Sequence, residues 1–198
     1  VSSPEQPPTS STLAGRLLLA TPALTDENFA RSVVLVLNHD EDGALGVVVN
    51  RPLDVDVESV LPGWQPFATA PGKLFQGGPV ALDSALGLVA VPGDEPDPVG
   101  VRRVFGSVGL GSVGLVDLDT PPEAVVAQLS GLRIFAGYAG WSAAQLEAEI
   151  AEGAWFVVPA EARDPFSDTP RELWGQVLRR QGGDLALVAS FPQDVSMN

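Results

Sequence analysis

The sequence has no cysteine, which excludes disulfides, thiolate metal sites and cysteine nucleophiles together. It has one histidine, so any histidine base or histidine ligand must be His39. Lys73 is the only lysine, and 11 basic against 25 acidic residues leave a net charge of −14. That balance argues against direct nucleic-acid binding, which needs clustered cations to displace counterions from phosphates. No apolar run approaches the length of a membrane-spanning helix, and Val1 to Ser10 lacks the basic and hydrophobic parts of a secretory signal. A cytoplasmic protein without membrane association is the default expectation.

What is present can fill a core: 198 residues with 45% hydrophobic content suit one domain. Residues 1–12 are rich in proline and serine and are expected to form a disordered tail, leaving 13–198 as a single domain. Gly15 to Ala20 is the first strand candidate. Ser32 to Asn38 and Ala44 to Asn50 are β-branched runs around a polar segment with Gly43, a hairpin signal, and Pro52 ends the second. Residues 53–72 suit a short helix and a packed loop. Lys73 to Gln76 and Ala85 to Val91 read as strands, and Pro92 to Gly100 as a mobile loop.

Gly106 to Leu110 and Gly111 to Leu115 repeat GSVGL in tandem. Five is odd, so along one strand the copies would turn their valines to opposite faces, and one copy is expected to leave the strand. The overlapping Gly109-x-Gly111-x-x-Gly114 is formally a dinucleotide fingerprint, but strand-like residues follow it where a helix should open. Thr120-Pro121-Pro122-Glu123 and Thr169-Pro170-Arg171-Glu172 each place a cap, a proline and a glutamate ahead of an apolar helix, with stops at Gly131 and Gly182. Strands are expected at Leu132 to Ala136, Ala154 to Pro159 and Leu185 to Ala189. Helices alternating with strands make the chain α+β or mixed α/β.

Gly137-Tyr138-Ala139-Gly140-Trp141 reads as an aromatic turn leading into a helix that Ser142 and Gln145 would cap, ending at Gly153. Glycines before a helix N-terminus can hold an anion. With no Lys or Arg between Gly137 and Gly153, the structural turn is the favoured reading.

No catalytic constellation stands out, and no catalytic residue is assigned. Asn38, Asp40, Asp42 and Gly43 match early positions of a calcium loop, but its twelfth position is Val49, so a solvated hairpin tip is favoured and no metal is expected. Gly-x-Ser-x-Gly and Walker A motifs are absent, and no cofactor is implied. Arg51, after Asn50 at a strand end, could hold a carboxylate or phosphate bidentately, although a solvated arginine is the commoner case. Arg102-Arg103 and Arg179-Arg180 read as solvated pairs, the latter at a helix end that favours cations.

Several segments together resemble the YqgE/AlgH family of bacterial proteins. They are Ala20-Thr21-Pro22 with Asp26 to Phe29, His39 with Asp42 to Gly46, Asn50-Arg51-Pro52, Gly77 to Val80, Gly137 to Trp141 with Gln145-Leu146, and Phe191 to Asp194 with the ending at Asn198. The resemblance implies an α+β fold with a mixed, mostly antiparallel sheet forming a partly open β-barrel, about three to five packed helices, and a cytoplasmic location. It implies no activity, and one branch is named as a regulator of alginate synthesis genes. The chain departs from the family pattern in its tandem GSVGL and in lacking a histidine near Ala90 and Val91, which weakens a shared histidine site.

The leading expectation is a non-enzymatic binding or regulatory module. Its candidate cleft is Asn50, Arg51, Gly77, Gly78, Gly137, Tyr138 and Trp141, with a small anion or a partner peptide as occupant. The alternatives are indirect transcriptional regulation and a hydrolase-type enzyme built on His39 or clustered carboxylates.

Overall fold

The computed structural model describes residues 12–93, 96–107 and 111–192. The expected tail over 1–12 lies almost wholly outside these residues, as do the middle of the Pro92 to Gly100 loop and the end of the first GSVGL copy.

The apolar runs become strands because each is buried on two faces. Leu17, Leu18 and Leu19 in β1 (Arg16–Ala20) and Val33 to Val36 in β2 (Val33–Asp40) have no exposed surface, so these segments read as continuous rather than alternating hydrophobics. The other strands are β3 (Gly43–Val48), β4 (Pro52–Asp56), β5 (Lys73–Gln76), β6 (Val80–Val91), β7 (Val101–Ser107), β8 (Gly111–Val116), β9 (Gly131–Ser142) and β10 (Trp155–Pro159). They form one ten-stranded sheet in the order β10-β1-β2-β3-β9-β6-β8-β7. β5 adds alongside β9 as a parallel neighbour, Phe75 opposite Phe135, and β4 pairs with β5. All other pairings are antiparallel, and the end strands β10 and β7 do not pair with each other, so the sheet is not closed.

The sheet surrounds a common core. Leu17, Leu35, Val47, Phe75, Leu88, Val113, Phe135 and Val158 meet there with Leu173, Trp174, Val177 and Leu178 of helix α2 (Leu173–Gln181). A second cluster, on Val34, Val36, Val48 and Trp141, is covered by Leu146 of helix α1 (Gln145–Ala151). Short 3-10 turns supply Val57, Trp64 and Val125 to a third. The chain is therefore α+β, with a mostly antiparallel, unclosed sheet and packed helices.

Three local expectations are corrected. Residues 122–128 form two 3-10 turns rather than a helix, because Val125 turns into the third cluster with φ −120° and interrupts the helical path. Leu185 to Ala189 is not a strand: helix α3 (Gly183–Val188) follows the positive φ of Gly182 and Gly183, which turns Leu185 and Val188 onto the core. A five-residue apolar run cannot distinguish the two forms by itself. Residues 53–72 begin with β4 before the 3-10 turns. As expected, the second GSVGL copy is β8, and strand rather than helix follows its glycines.

Candidate functional site

The predicted aromatic turn is strand. β9 continues through Gly137 to Ser142 because neighbouring backbones come too close for side chains. A Cβ on Gly137 (φ 70°) would sit 2.7 Å from the carbonyl oxygens of Gly78 and Val80, and one on Gly77 would sit 2.3 Å from the Gly137 oxygen. Gly77, Gly78, Gly137 and Tyr138 thus do come together, as a junction of chains in van der Waals contact. Beside it β6 bulges outward: Val80 faces Tyr138 and Ala85 faces Ala136. Only half of the expected capping box forms. Gln145 Oε1 accepts from the Ser142 N–H at 3.0 Å, while α1 begins after Ala144 in the left-handed region, φ 61°.

Asn50 and Arg51 are engaged by the chain itself. Asn50 is buried, its Oδ1 accepting from Val33 N–H at 2.9 Å and its Nδ2 donating to the Arg31 carbonyl at 3.0 Å. Arg51 donates to the carbonyls of Glu27 at 2.9 Å and Ala30 at 2.8 Å. Burial pulls the Arg51 pKa down, and the Asp26 carboxylate opposes that shift. Together they fasten the 26–31 segment to the end of β3. Trp141 packs with Phe29 and Trp155, the two indoles 6.0 Å apart edge to face. Both indole N–H groups donate to one oxygen of Glu149, at 2.9 and 2.8 Å.

His39 is not at a solvated tip. Its side chain is 10% exposed, Nδ1 accepts from Leu13 N–H at 3.0 Å, and Nε2 lies 2.5 Å from Glu147 Oε1. With Nδ1 occupied as an acceptor, neutral His39 carries its proton on Nε2 and donates it to Glu147. The Glu147 pKa is lowered, first by a hydrogen bond from its own backbone and then by His39. The histidine acts as a staple between the N-terminal segment, β2 and α1.

A different region holds an open recess. It has a volume of about 830 Å³ and lies between the 163–169 segment and α2, with Arg163, Asp168, Thr169, Gln176, Arg179 and Arg180 on its rim. Phe166, Leu173 and Val177 line it with apolar surface. Arg180, expected to be solvated, instead grips buried Asp164 through both oxygens, at 2.8 and 2.9 Å, and reaches Glu161 at 3.3 Å. The Asp164 hydrogen bond raises the Arg180 pKa. Arg103, the other such case, pairs with Asp97 at 2.8 Å. Behind the 165–167 wall Arg133 is 1% exposed and forms no ion pair among the described residues. It donates to the carbonyls of Pro165 and Ser167, both at 2.9 Å, and of Ala70 at 2.5 Å, and lies over the Phe75 ring.

Sequence reasoning missed this recess. Its lining lies within residues 163–180, but the fold of that stretch depends on Arg180 gripping Asp164 and on Arg133 behind it, and Arg133 sits inside an apolar strand run where its only signal was a charge among hydrophobics. The Arg179 guanidinium lies against Gly175, where an added Cβ would come 3.2 Å from Arg179 Nη1. Because Gly175 is in mid-helix and the neighbour is a flexible side-chain end, Gly175→Ala is expected to stabilise by about 0.5–1 kcal/mol. A thermal melt should show a rise of roughly 1–4 °C.

A family profile for AlgH-like proteins matches residues 17–186, nearly all of the strands and helices just described. The chain belongs to the AlgH-like family. Its relatives are similar over their full length: a UPF0301 protein of Streptomyces coelicolor is 57% identical over 95% of this chain and 96% of its own. A UPF0301 protein of Thermobifida fusca is 50% identical over 94% and 96%. Among solved structures, protein DIP2367 of Corynebacterium diphtheriae is 34% identical with a TM-score of 0.82, covering 94% of this chain and 95% of that one. The AlgH protein of Pseudomonas aeruginosa, solved in solution, is 28% identical with a TM-score of 0.64 over 95% and 98%.

Proposed function

We propose that this AlgH-like protein is a non-enzymatic binding module whose ligand enters the recess between the 163–169 segment and α2, and that the ligand is anionic. The observation that carries this reading is the gathering of cations there on an acidic chain. Arg163, Arg179 and Arg180 are three of the 11 basic residues, and the recess they line is about 830 Å³, within the range of ligand sites. The glycine junction around Gly77, Gly137 and Tyr138 then serves as scaffold, since Arg51 is already engaged by two carbonyls. Any influence on gene expression would be indirect, through a ligand or protein partner, because the net charge of −14 disfavours contact with DNA.

The test is a titration of the ¹⁵N-labelled protein with a panel of small carboxylates and phosphates. Saturable shifts are expected at the amides of Ser167, Thr169, Gln176 and Arg179, and their loss in the Arg163→Glu/Arg179→Glu double variant. Shifts centred on Gly77, Gly78 and Tyr138 would instead move the site to the glycine junction. Silence at both places would remove the binding reading.

A further inference from the structure

We infer that the occupant of the recess is an amphipathic monoanion, an aryl or alkyl group carrying one carboxylate, and that Arg179 receives its charge. The inference rests on the reading of the recess as the binding site, and it follows from how the charges there are already matched.

Each cation at the recess has a protein partner except one. Arg180 is held by Asp164 and Glu161. Arg163 donates to Glu161 at 2.6 Å. Arg133, behind the wall, is held by three carbonyls, with the charge of Asp168 acting on it. Arg179 alone among the lining cations has no hydrogen-bond or ion-pair partner among the described residues. Its guanidinium lies against the helix at Gly175 and stands at the recess border. A planar guanidinium with a free edge binds a carboxylate through two parallel hydrogen bonds, which a point-charge ammonium cannot do.

The remaining charges set the ligand's limit. Asp164 and Asp168 both line the recess, so a second negative charge on the ligand would meet carboxylates rather than open cations. That favours a monoanion over a phosphate dianion. The apolar part follows from Phe166, the partly exposed ring on the recess wall, with Leu173 and Val177 buried behind it as members of the core. Thr169 and Gln176 are already bonded to each other at 3.0 Å, so they form a polar wall rather than a second charge receptor.

The experiment uses 4-phenylbutyrate as the probe, with acetate for the head alone, 4-phenylbutanol for the body alone and phenyl phosphate for the dianion. Amide shifts at Thr169, Leu173 and Gln176 are followed in each titration. Phenylbutyrate is expected to bind at least tenfold more tightly than any of the other three. Arg179→Gln is expected to weaken it at least fivefold without lowering the melting temperature, and Phe166→Ala to weaken phenylbutyrate but not acetate. Equal binding of acetate would overturn the amphipathic class and tighter binding of phenyl phosphate the monoanion, in both cases leaving the recess as the site. Full affinity in Arg179→Gln would overturn the assigned receptor. Absence of recess shifts with every probe, including the wider anion panel, would overturn the site itself.

Discussion

Arg133→Ala is expected to lower the free energy of unfolding by about 3–5 kcal/mol, a large part of the stability of a domain of this size. The guanidinium is buried and supplies donors to the carbonyls of Ala70, Pro165 and Ser167, tying the 165–167 wall and the 69–71 loop to β9. Removing it leaves those carbonyls without donors and opens a void over Phe75. The charge itself opposes folding. Burial draws the Arg133 pKa down from its ordinary value to about 10, with the Asp168 charge opposing. The sign follows from proton binding: between those values the unfolded chain holds more protons than the folded one, so this residue's contribution to stability improves as pH rises through that window. At neutral pH the arginine is charged in both states, and its hydrogen bonds must offset its desolvation. Arg133→Met, which keeps volume against Phe75 and removes the buried charge, should therefore cost clearly less than Arg133→Ala, about 1–3 kcal/mol. Urea unfolding followed by tryptophan fluorescence measures both. A loss below about 1 kcal/mol for Arg133→Ala would show that the carbonyls find other donors.

Glu149→Ala should cost about 2–3 kcal/mol, or roughly 4–12 °C in melting temperature. One carboxylate oxygen accepts from the indoles of both Trp141 and Trp155, and the other accepts from Gln145 at 3.0 Å. Both tryptophans are buried against Phe29, so their donors have no ready replacement. Glu149→Gln retains an acceptor for the two indoles but loses the charge, and is expected to cost about 1 kcal/mol. The tryptophan emission of the alanine variant should shift as well, because the environment of both rings changes. If the two variants destabilise equally, the acceptor geometry contributes little and charge is what holds the corner.

The strands rich in β-branched or leucine residues were legible, since β2, β3, β5 and β10 stand within a few residues of their expected positions. Burial on both faces makes such runs continuous, and nothing local competes with them. β9 was only half legible. Its glycines read as turn residues, whereas their function is to let the 77–80 backbone approach, a tertiary demand that leaves no local trace. Arg51 was rightly singled out as an unusual arginine, yet its acceptors are main-chain carbonyls some 20 residues upstream, invisible in a residue-type pattern. The same applies to Arg180, whose carboxylate partner lies 16 residues before it, beyond a 3-10 turn. His39 shows the reverse error: acidic neighbours suggested solvent, while its ring faces Leu13 and Glu147.

The placement of β1 bears on how the chain reaches its native state during synthesis. Among the described residues β10 has β1 as its only strand partner, with Arg16 opposite Pro159 and Ala20 opposite Trp155. One edge of the first strand therefore stays unpaired until the last strand has left the ribosome. Such long-range closure slows folding and leaves an apolar edge, Leu17 to Leu19, open to association in the interval. Among the described strands β1 is the first made and among the last to be completed, so its edge needs protection through the synthesis of all the strands between it and β10.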